Sequence, residues 1–238
     1  MADDNRPLKY MRYAIGEIVL VVVGILIALQ INNWNENNKS DVIRKDYYYQ
    51  LLDDLEIDKN EMTSIIDQIE SRKKKYDSYI KTFEAPGLGP IELIENISKL
   101  DYVFRFYSFE TSTMESLLNT GDIKLLPNLL RRKLIRFNRS KQTEIERTTL
   151  NYIEYRDKLR QAELSGFSDL YDRSLQHEDL LALLYPSNSN QLKEVIYSVD
   201  AAIRIKNMTE TVSLSVLKEL LVEIEIIDEL INKELEEN

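Results

Sequence analysis

Cysteine is absent from this chain and histidine occurs once, so the residues that most often build catalytic and metal centres are nearly missing. Without cysteine there is no disulfide framework, no thiol nucleophile and no thiolate metal site. The one histidine, His177, begins the run His-Glu-Asp-Leu-Leu, which lacks the second histidine of a zinc-binding helix. We therefore expect no catalytic residue, no cofactor and no metal, and we interpret His177 as an exposed polar side chain.

Glycine and proline are also scarce, with 6 and 5 residues among 238, whereas 30% of the residues are charged. This composition favours long helices over a β-sandwich or a barrel. The formal net charge is −10; the first twelve residues contribute +1, so the remainder carries −11. Because an acidic body repels the phosphates of nucleic acids, we predict no nucleic-acid partner.

An apolar run near the N-terminus predicts a membrane anchor. Residues 18–29 are all apolar or glycine, and widening the window to 14–31 adds only two polar residues, Glu17 and Gln30. As a helix, those 18 residues span roughly 27 Å, close to the hydrocarbon core of a bilayer at about 30 Å. We predict a single transmembrane helix over 13–34.

The residues on either side of this helix indicate an uncleaved signal anchor with a cytoplasmic N-terminus. No small-x-small cleavage pattern follows the run, and Tyr13 and Trp34 suit the two membrane interfaces. Arg12 lies at the N-terminal edge with two more cations before it. The same number of cations follows the helix at a greater distance: Lys39, Arg44 and Lys45. The positive-inside rule then predicts a bacterial inner-membrane protein with a periplasmic body.

Several residues inside the predicted membrane helix suit contact with another helix. Gly16, Gly24 and Ala28 share one face, where small side chains allow close approach, although such residues are also common in membrane helices. Glu17 either reaches the cytoplasmic interface, bonds to a partner helix or relays a proton or ion. Gln30 lies near the outer edge. We expect lipid as one partner, and self-association or another membrane protein as the other.

The stretch Ala14 to Glu36, AIGEIVLVVVGILIALQINNWNE, resembles the N-terminal signature of an uncharacterised family of single-pass membrane proteins from Bacteroidota. A second stretch, 113–135, is similar to that family around the turn Asn-Thr-Gly-Asp at 119–122. Together they suggest that the resemblance runs along most of the chain. It implies a membrane-anchored helical protein, with no known activity or catalytic residues.

Beyond the anchor, the spacing of apolar residues predicts long helices. Residues 41–83 contain no glycine or proline, and their apolar residues follow one seven-residue register whose only polar members are Asp58 and Arg72. The apolar members are Tyr48, Leu51, Leu55, Met62, Ile65, Ile69, Tyr76, Tyr79 and Phe83. This helix either continues from the anchor or hinges at an Asn-rich junction, because asparagine is a weak helix former.

Glycine and proline divide the rest of the chain into further elements. We predict a loop at 84–90, followed by a helix over 91–107 whose later part is helical or extended. A short helix then begins with a capping box at Ser112 and Glu115 and stops at Gly121, and a long helix runs from Pro127 to about Ser165. The remaining elements are a helix over 169–185, a loop at 186–190 and a last helix over 191–235.

Helices of about 40 residues cannot each bury an apolar stripe alone. We therefore predict an all-α fold in which they pack as an up-and-down, coiled-coil-like bundle. The chain then has four parts: a basic cytoplasmic N-terminus (1–12), the transmembrane anchor (13–34), the Asn-rich junction (35–40) and an acidic helical domain (41–238).

Charged side chains of the domain form patterns with several interpretations. One basic patch is dense: Arg131, Arg132, Lys133, Arg136, Arg139 and Lys141. It either pairs with the acidic last helix or binds lipid headgroups or another anionic partner. The carboxylates of 53–58 resemble an acid/base pair or metal ligands, but their helical spacing beside an apolar stripe favours a solvated face.

These features favour a non-enzymatic, membrane-anchored helical scaffold that acts by protein–protein contact, as a homo-oligomer or an accessory subunit of a bacterial envelope complex. One alternative is an extracytoplasmic ligand-sensing bundle that signals through a partner, for which a deep polar pocket would be expected. A membrane subunit that uses Glu17 in proton or ion transfer is a third.

Overall fold

The computed structural model describes residues 6–167 and 190–237, and every regular element in that part is helical. The helices are α1 (Arg6–Phe83), α2 (Pro90–Ser98), α3 (Ser112–Thr120), α4 (Asn128–Leu164) and α5 (Asn190–Glu237), with a 3₁₀ turn at Asp122–Leu125. The all-α prediction is confirmed. The predicted helix over 169–185, including His177, and most of the loop at 186–190 lie outside the described residues.

Helix α1 is a single element of 78 residues, about 117 Å long. The Asn-rich junction at 35–40 does not interrupt it, so the chain adopts the continuous alternative and not the hinge. Each asparagine costs only a few tenths of a kcal/mol in a helix, which the flanking helical turns outweigh. One junction contact also supports the helix: the Asn32 side-chain amide donates to Glu36 Oε1 at 3.1 Å.

The seven-residue register of α1 faces the interior of the bundle, as its spacing predicts. Its apolar members from Tyr48 to Ile69 are at most 4% exposed, and Tyr79 is 1% exposed. Asp58, a polar member, is equally buried at 1%. The prediction that the carboxylates of 53–58 form a solvated face is therefore wrong for Asp58, because this position lies on the buried face of α1.

The three long helices form the frame of the bundle. Helix α5 runs antiparallel to α1, because Lys59 lies near Glu225 whereas Tyr79 bonds to Asp200. Helices α4 and α5 pack together along their length. The C-terminal end of α5 lies at the end of the bundle that is nearest the apolar segment of α1. We call this the proximal end and the opposite one the distal end.

An extended segment over 101–111 returns from the distal to the proximal end between α1 and α4. For part of this segment, the sequence had allowed either a helix or an extended chain. Alternate aromatic residues point the same way, as in a strand: the rings of Phe104 and Phe106 lie 4.9 and 4.5 Å from that of Tyr152. Tyr107 and Phe109 are 8% exposed and contribute to the core. Helix α2 ends at Ser98, so the extended alternative holds for the later part of 91–107.

Short elements at the proximal end follow the predicted turn residues closely. Gly121 ends α3 with a φ of 78°, a left-handed conformation that glycine adopts without strain. Pro127 immediately precedes α4. The capping-box prediction at Ser112 and Glu115 is wrong, because Thr111 occupies the N-cap position, Ser112 is the first helical residue and the N-cap makes no side-chain capping hydrogen bond.

The bundle interior contains two hydrophobic cores. The proximal core is formed mainly by residues of α1 up to Ile69, of the start of α4 and of the end of α5. The distal core gathers around Tyr79, Ile97, Ala162 and Val199. Buried polar side chains extend from Asp58, beside the proximal core, to the space between the two cores, and they form the candidate site described next.

Candidate functional site

Six charged side chains on three helices form what we call the polar belt, which runs lengthwise through the interior. They are Asp58, Arg72, Lys141, Glu144, Lys206 and Glu210. The belt begins at Asp58, beside the proximal core, and ends at Arg72 and Glu210, between the two cores. Burying a charge is unfavourable unless the group is paired and hydrogen-bonded, so each member depends on its partners.

The first ion pair of the belt joins α1 to α4. Lys141 Nζ lies 2.6 Å from Asp58 Oδ2, and the two side chains are 3% and 1% exposed. Glu110 of the extended segment contacts both: its backbone N–H donates to Asp58 Oδ1 at 2.8 Å, and its carbonyl oxygen accepts from Lys141 at 2.5 Å. Burial raises the pKa of Asp58, and the Lys141 ammonium opposes that rise. The pair thereby holds the extended segment in place.

A second cluster joins α4 to α5. Glu144 accepts two hydrogen bonds from the Arg147 guanidinium, at 3.0 and 2.6 Å, and a third from Ser213 Oγ at 2.7 Å. The Glu144 side chain is 2% exposed. Burial raises the pKa of Tyr107 to about 12, and a hydrogen bond with Ser213 opposes the rise. Arg147 therefore supplies the counter-charge to the buried Glu144 carboxylate, which accepts three hydrogen bonds.

A third cluster joins α1 to α5. Arg72 Nε lies 2.8 Å from Glu210 Oε1, and the Lys206 ammonium donates to the Asp101 carbonyl oxygen. Burial raises the pKa of Glu210, opposed by Arg72 and Lys206, and burial lowers the pKa of Lys206. A cavity of about 20 Å³ is lined by Arg72, Lys206, Glu210 and the neighbouring Tyr76, among others. That volume holds one water molecule and no larger ligand.

Two tyrosine hydroxyls bond at the distal side of the belt. Tyr155 donates to the Tyr102 carbonyl oxygen at 2.6 Å, and Tyr79 donates to Asp200 Oδ1 at 2.9 Å. Burial raises the pKa of both phenols, so they remain protonated donors at neutral pH. Together with the ion pairs, they fix the relative positions of the extended segment and the three long helices.

Sequence reasoning missed most of the belt, although part of the signal was present. Asp58 and Arg72 are the only polar members of the buried register of α1, and such positions require partners. Lys141 was grouped with the exposed basic patch, but it lies at the same spacing on α4 as Phe137 and Thr148, which are buried. The partners themselves come from distant parts of the chain.

The predicted basic patch divides into residues with different surroundings. Lys133 pairs with Glu223 of α5 at 2.9 Å, as the cross-helix interpretation predicts. Lys141 instead turns inward to Asp58, and the Arg131 guanidinium donates to the Asn128 side chain of its own helix. The remaining arginines are exposed and make no ion pair with any described residue: Arg132, Arg136 and Arg139.

Two surface grooves flank α5 on opposite sides. The α4/α5 groove is lined by residues that include Arg136, Arg139, Val212, Val216, Glu219 and Val222. The α1/α5 groove is lined by residues that include Asp53, Glu56, Lys59, Glu225, Asp228 and Glu229. Unpaired arginines therefore lie on one flank of α5, and the other flank is strongly acidic. Among the described residues, no three His, Asp or Glu side chains are arranged to hold a metal ion.

By its length and composition, the N-terminal part of α1 is a helix that is long enough and apolar enough to cross a membrane. Its large apolar side chains are 47–75% exposed, so the described chain does not cover them. They are Ile15, Ile18, Val19, Leu20, Val21, Val22, Val23, Ile25, Leu26, Ile27, Leu29 and Ile31. Contiguous apolar exposure of this extent is typical of a membrane or protein contact.

The predicted contact residues all lie on this exposed part of α1. A methyl group added at Gly16 or Gly24 would meet nothing within 4 Å, so their face is open to a neighbour. Glu17, Ala28 and Gln30 are exposed, and neither polar side chain among them bonds to a described residue. Trp34 is 66% exposed. The backbones of Arg12 and Tyr13 are helical, and their side chains lie outside the description.

Residues 17–125 match the model of a family of unknown function (DUF6090). The match covers less than half of the 238 residues. It includes most of the stretch Ala14 to Glu36 and the first part of the second stretch that carries the resemblance, and it ends before α4 begins. No curated protein and no solved structure matches the chain.

Proposed function

We propose that this chain is a membrane-anchored helical scaffold that acts by contact with other proteins, as a homo-oligomer or as an accessory subunit of a bacterial envelope complex. The observation that supports this most directly is the continuity of α1. One helix carries both the exposed apolar segment and the buried register of the bundle. A contact made in the membrane is therefore rigidly connected to the acidic domain outside it.

The proposed location is the inner membrane, with residues 1–12 cytoplasmic, 13–34 in the bilayer and the helical domain in the periplasm. The cations at the N-terminal edge support this orientation through the positive-inside rule. The resemblance to single-pass membrane proteins of Bacteroidota supports a bacterial membrane. Lipid contacts most of the anchor, with Arg12, Tyr13 and Trp34 at its interfaces.

The interior of the bundle favours a scaffold over a ligand sensor. The cavity beside Arg72, Lys206 and Glu210 of the belt has a volume of about 20 Å³. Ligand pockets for small molecules are generally 300 Å³ or more, as an order of magnitude. The charges of the belt bond to one another and to backbone groups, so the belt itself offers no charged group awaiting a small-molecule ligand.

The test of the scaffold is self-association through the small-residue face of the anchor. The intact chain is purified in detergent, and its mass is measured by multi-angle light scattering. We expect an oligomer that dissociates in G24L, because a larger side chain separates the packed helices. V22L, on another face of the same helix, is the matched control and should leave the oligomer intact.

A monomeric wild type would contradict the homo-oligomer, and crosslinking and pull-down from native membranes would then test the accessory-subunit form. Glu17 is tested separately. An unchanged phenotype in E17Q would remove support from the proton- or ion-transfer alternative, because glutamine keeps the hydrogen-bonding groups but not the charge.

A further inference from the structure

The two grooves that flank α5 carry opposite unpaired charge. In the α4/α5 groove, Glu223 already pairs with Lys133, and Glu144 already pairs with Arg147. This leaves two exposed arginines against one exposed acid, Glu219. Arg132, one turn before Arg136 on the same face of α4, adds a third arginine beside the groove.

The α1/α5 groove has the complementary composition. Five carboxylates line it, and Lys59 is the single cation among the described lining residues. Lys59 lies 3.8 Å from Glu225, but both side chains are more than half exposed, so this pair contributes little. Most of the negative charge of this groove is therefore available to an outside partner.

The grooves also lie at the same height along the bundle. Asp58 is 24 residues after Trp34, about 36 Å along α1, and Lys141 pairs with it. Counting back along α4 at about 1.5 Å per residue places Arg139 and Arg136 about 28–33 Å beyond Trp34. The same count along α1 places the acidic groove, from Asp53 to Asn60, about 28–39 Å beyond it.

This height separates a protein partner from lipid. The Debye length is about 8 Å at physiological ionic strength, so charges about 30 Å above the headgroups are screened from them. Two anchored copies of this chain, however, share one orientation in one membrane. Their grooves then face each other at equal height, and tethering raises the effective concentration of each for the other.

We propose that a second copy of this chain docks head-to-tail beside the first, with the carboxylates of its α1/α5 groove against the arginines of the α4/α5 groove. Val212 and Val222, which are 43% and 56% exposed, lie in the same groove and are covered by the contact. Because the two surfaces differ, the contact is heterologous and extends into a row or closes into a ring. This inference rests on the membrane anchoring proposed above.

The geometry is tested by cysteine crosslinking of the full chain, which has no native cysteine. Ser140 lines the α4/α5 groove and Asn60 lines the α1/α5 groove. Chains carrying S140C and chains carrying N60C are reconstituted together in phosphatidylcholine vesicles and oxidised. We expect disulfide-linked dimers in the mixture and not in either variant alone. Dimers of S140C alone would overturn the proposal, because they require like surfaces to meet.

Charge reversal tests the chemistry of the contact. R136E/R139E in the S140C chain should lower the yield of mixed dimers by about tenfold, because like charges then meet. E225K/E229K in the N60C chain should lower it similarly, and combining both reversals should restore it. R156E/R160E, which changes exposed arginines further along α4, is the matched control. Equal yields for all variants, or no recovery on combining them, would overturn the proposal.

Two further measurements separate the possible causes of failure. Flotation of the same vesicles reports membrane anchoring independently of crosslinking, so protein that floats without mixed dimers contradicts this contact and leaves the anchor intact. Repeating the reaction in phosphatidylglycerol vesicles tests lipid as the partner. A loss of dimers there, with arginine-dependent lipid binding, would assign the α4/α5 groove to the membrane surface and overturn the proposal.

Discussion

At the residue scale, Asp58 and Lys141 each rely on the other as a buried counter-ion. Removing one partner leaves an uncompensated charge in the interior, which typically costs about 3–5 kcal/mol. Replacing both with apolar residues of similar volume is typically neutral or stabilising. The pair therefore determines which segments pack together more than it determines the overall stability.

We predict that D58A lowers the unfolding free energy of the intact chain by about 3–5 kcal/mol, whereas the double variant D58L/K141M recovers most of that loss. Denaturant unfolding followed by circular dichroism in detergent measures both. D53A, at an exposed carboxylate on the same helix, should change stability by less than about 0.5 kcal/mol. A double variant as unstable as D58A would show that the hydrogen bonds to Glu110, and not charge compensation, dominate.

Glu210 gives a second prediction, about pH. Folding raises its pKa, so the folded chain retains this proton more readily than the unfolded chain. The resulting stabilisation is complete below the unfolded pKa, at about 4.5, and is lost as pH rises through the folded pKa. We expect the stability difference between wild type and E210Q to fall with rising pH over that window, by at most about 1.4 kcal/mol per unit.

Denaturant titrations across that pH range measure this difference, with E219Q as the control at an exposed glutamate of the same helix. A difference that rises with pH would mean that Arg72 and Lys206 outweigh the burial of Glu210, and would contradict the prediction. The sign of the slope therefore distinguishes a carboxyl dominated by burial from one dominated by its cations.

At the element scale, the sequence predicted most helices but not their continuity or their neighbours. The register of 41–83 predicted both the helix and its buried face, because a seven-residue spacing is a local property of the chain. The continuity of α1 through 35–40 was left open, because asparagine disfavours helix only weakly. The extended segment over 101–111 is held by aromatic contacts with α4, and the α4 residue that makes them lies 46 residues or more away in sequence. No local pattern predicts such contacts.

We predict that N37P breaks α1 and uncouples the anchor from the bundle, because proline removes a helical hydrogen bond and clashes with the preceding turn. Spin labels at Q30C and Q50C, about 30 Å apart along an unbroken helix, report this in the Cys-free chain. The distance distribution should be narrow in the parent and broad in N37P. N37A should stay narrow, and a broad distribution in the parent would contradict a continuous helix.

At the scale of the whole molecule, the described chain combines an exposed apolar helix, two cores and the polar belt. The direction of α1 places the whole acidic domain on one side of the proposed membrane. The length of the helix also holds both grooves well above the headgroups. Orientation therefore decides which compartment the grooves face, and it can be measured directly.

We predict that a membrane-impermeant maleimide, added to intact spheroplasts, labels N60C and not A2C. The reason is the cluster of cations at the N-terminal edge, which keeps that end cytoplasmic. Both variants should be labelled after lysis, which controls for reactivity. Labelling of A2C alone in intact spheroplasts would show the opposite topology, with the grooves in the cytoplasm.

The sequence by itself determined the helical class, most helix ends and the inward face of α1, since these depend on spacing, on glycine and on proline within a few residues. Only the tertiary structure decided that the charges of Asp58 and Lys141, 83 residues apart, meet in the interior. It also decided that the arginines of α4 and the carboxylates of α1 and α5 lie on opposite flanks. Burial and pairing depend on neighbours brought together through space, which no local pattern specifies.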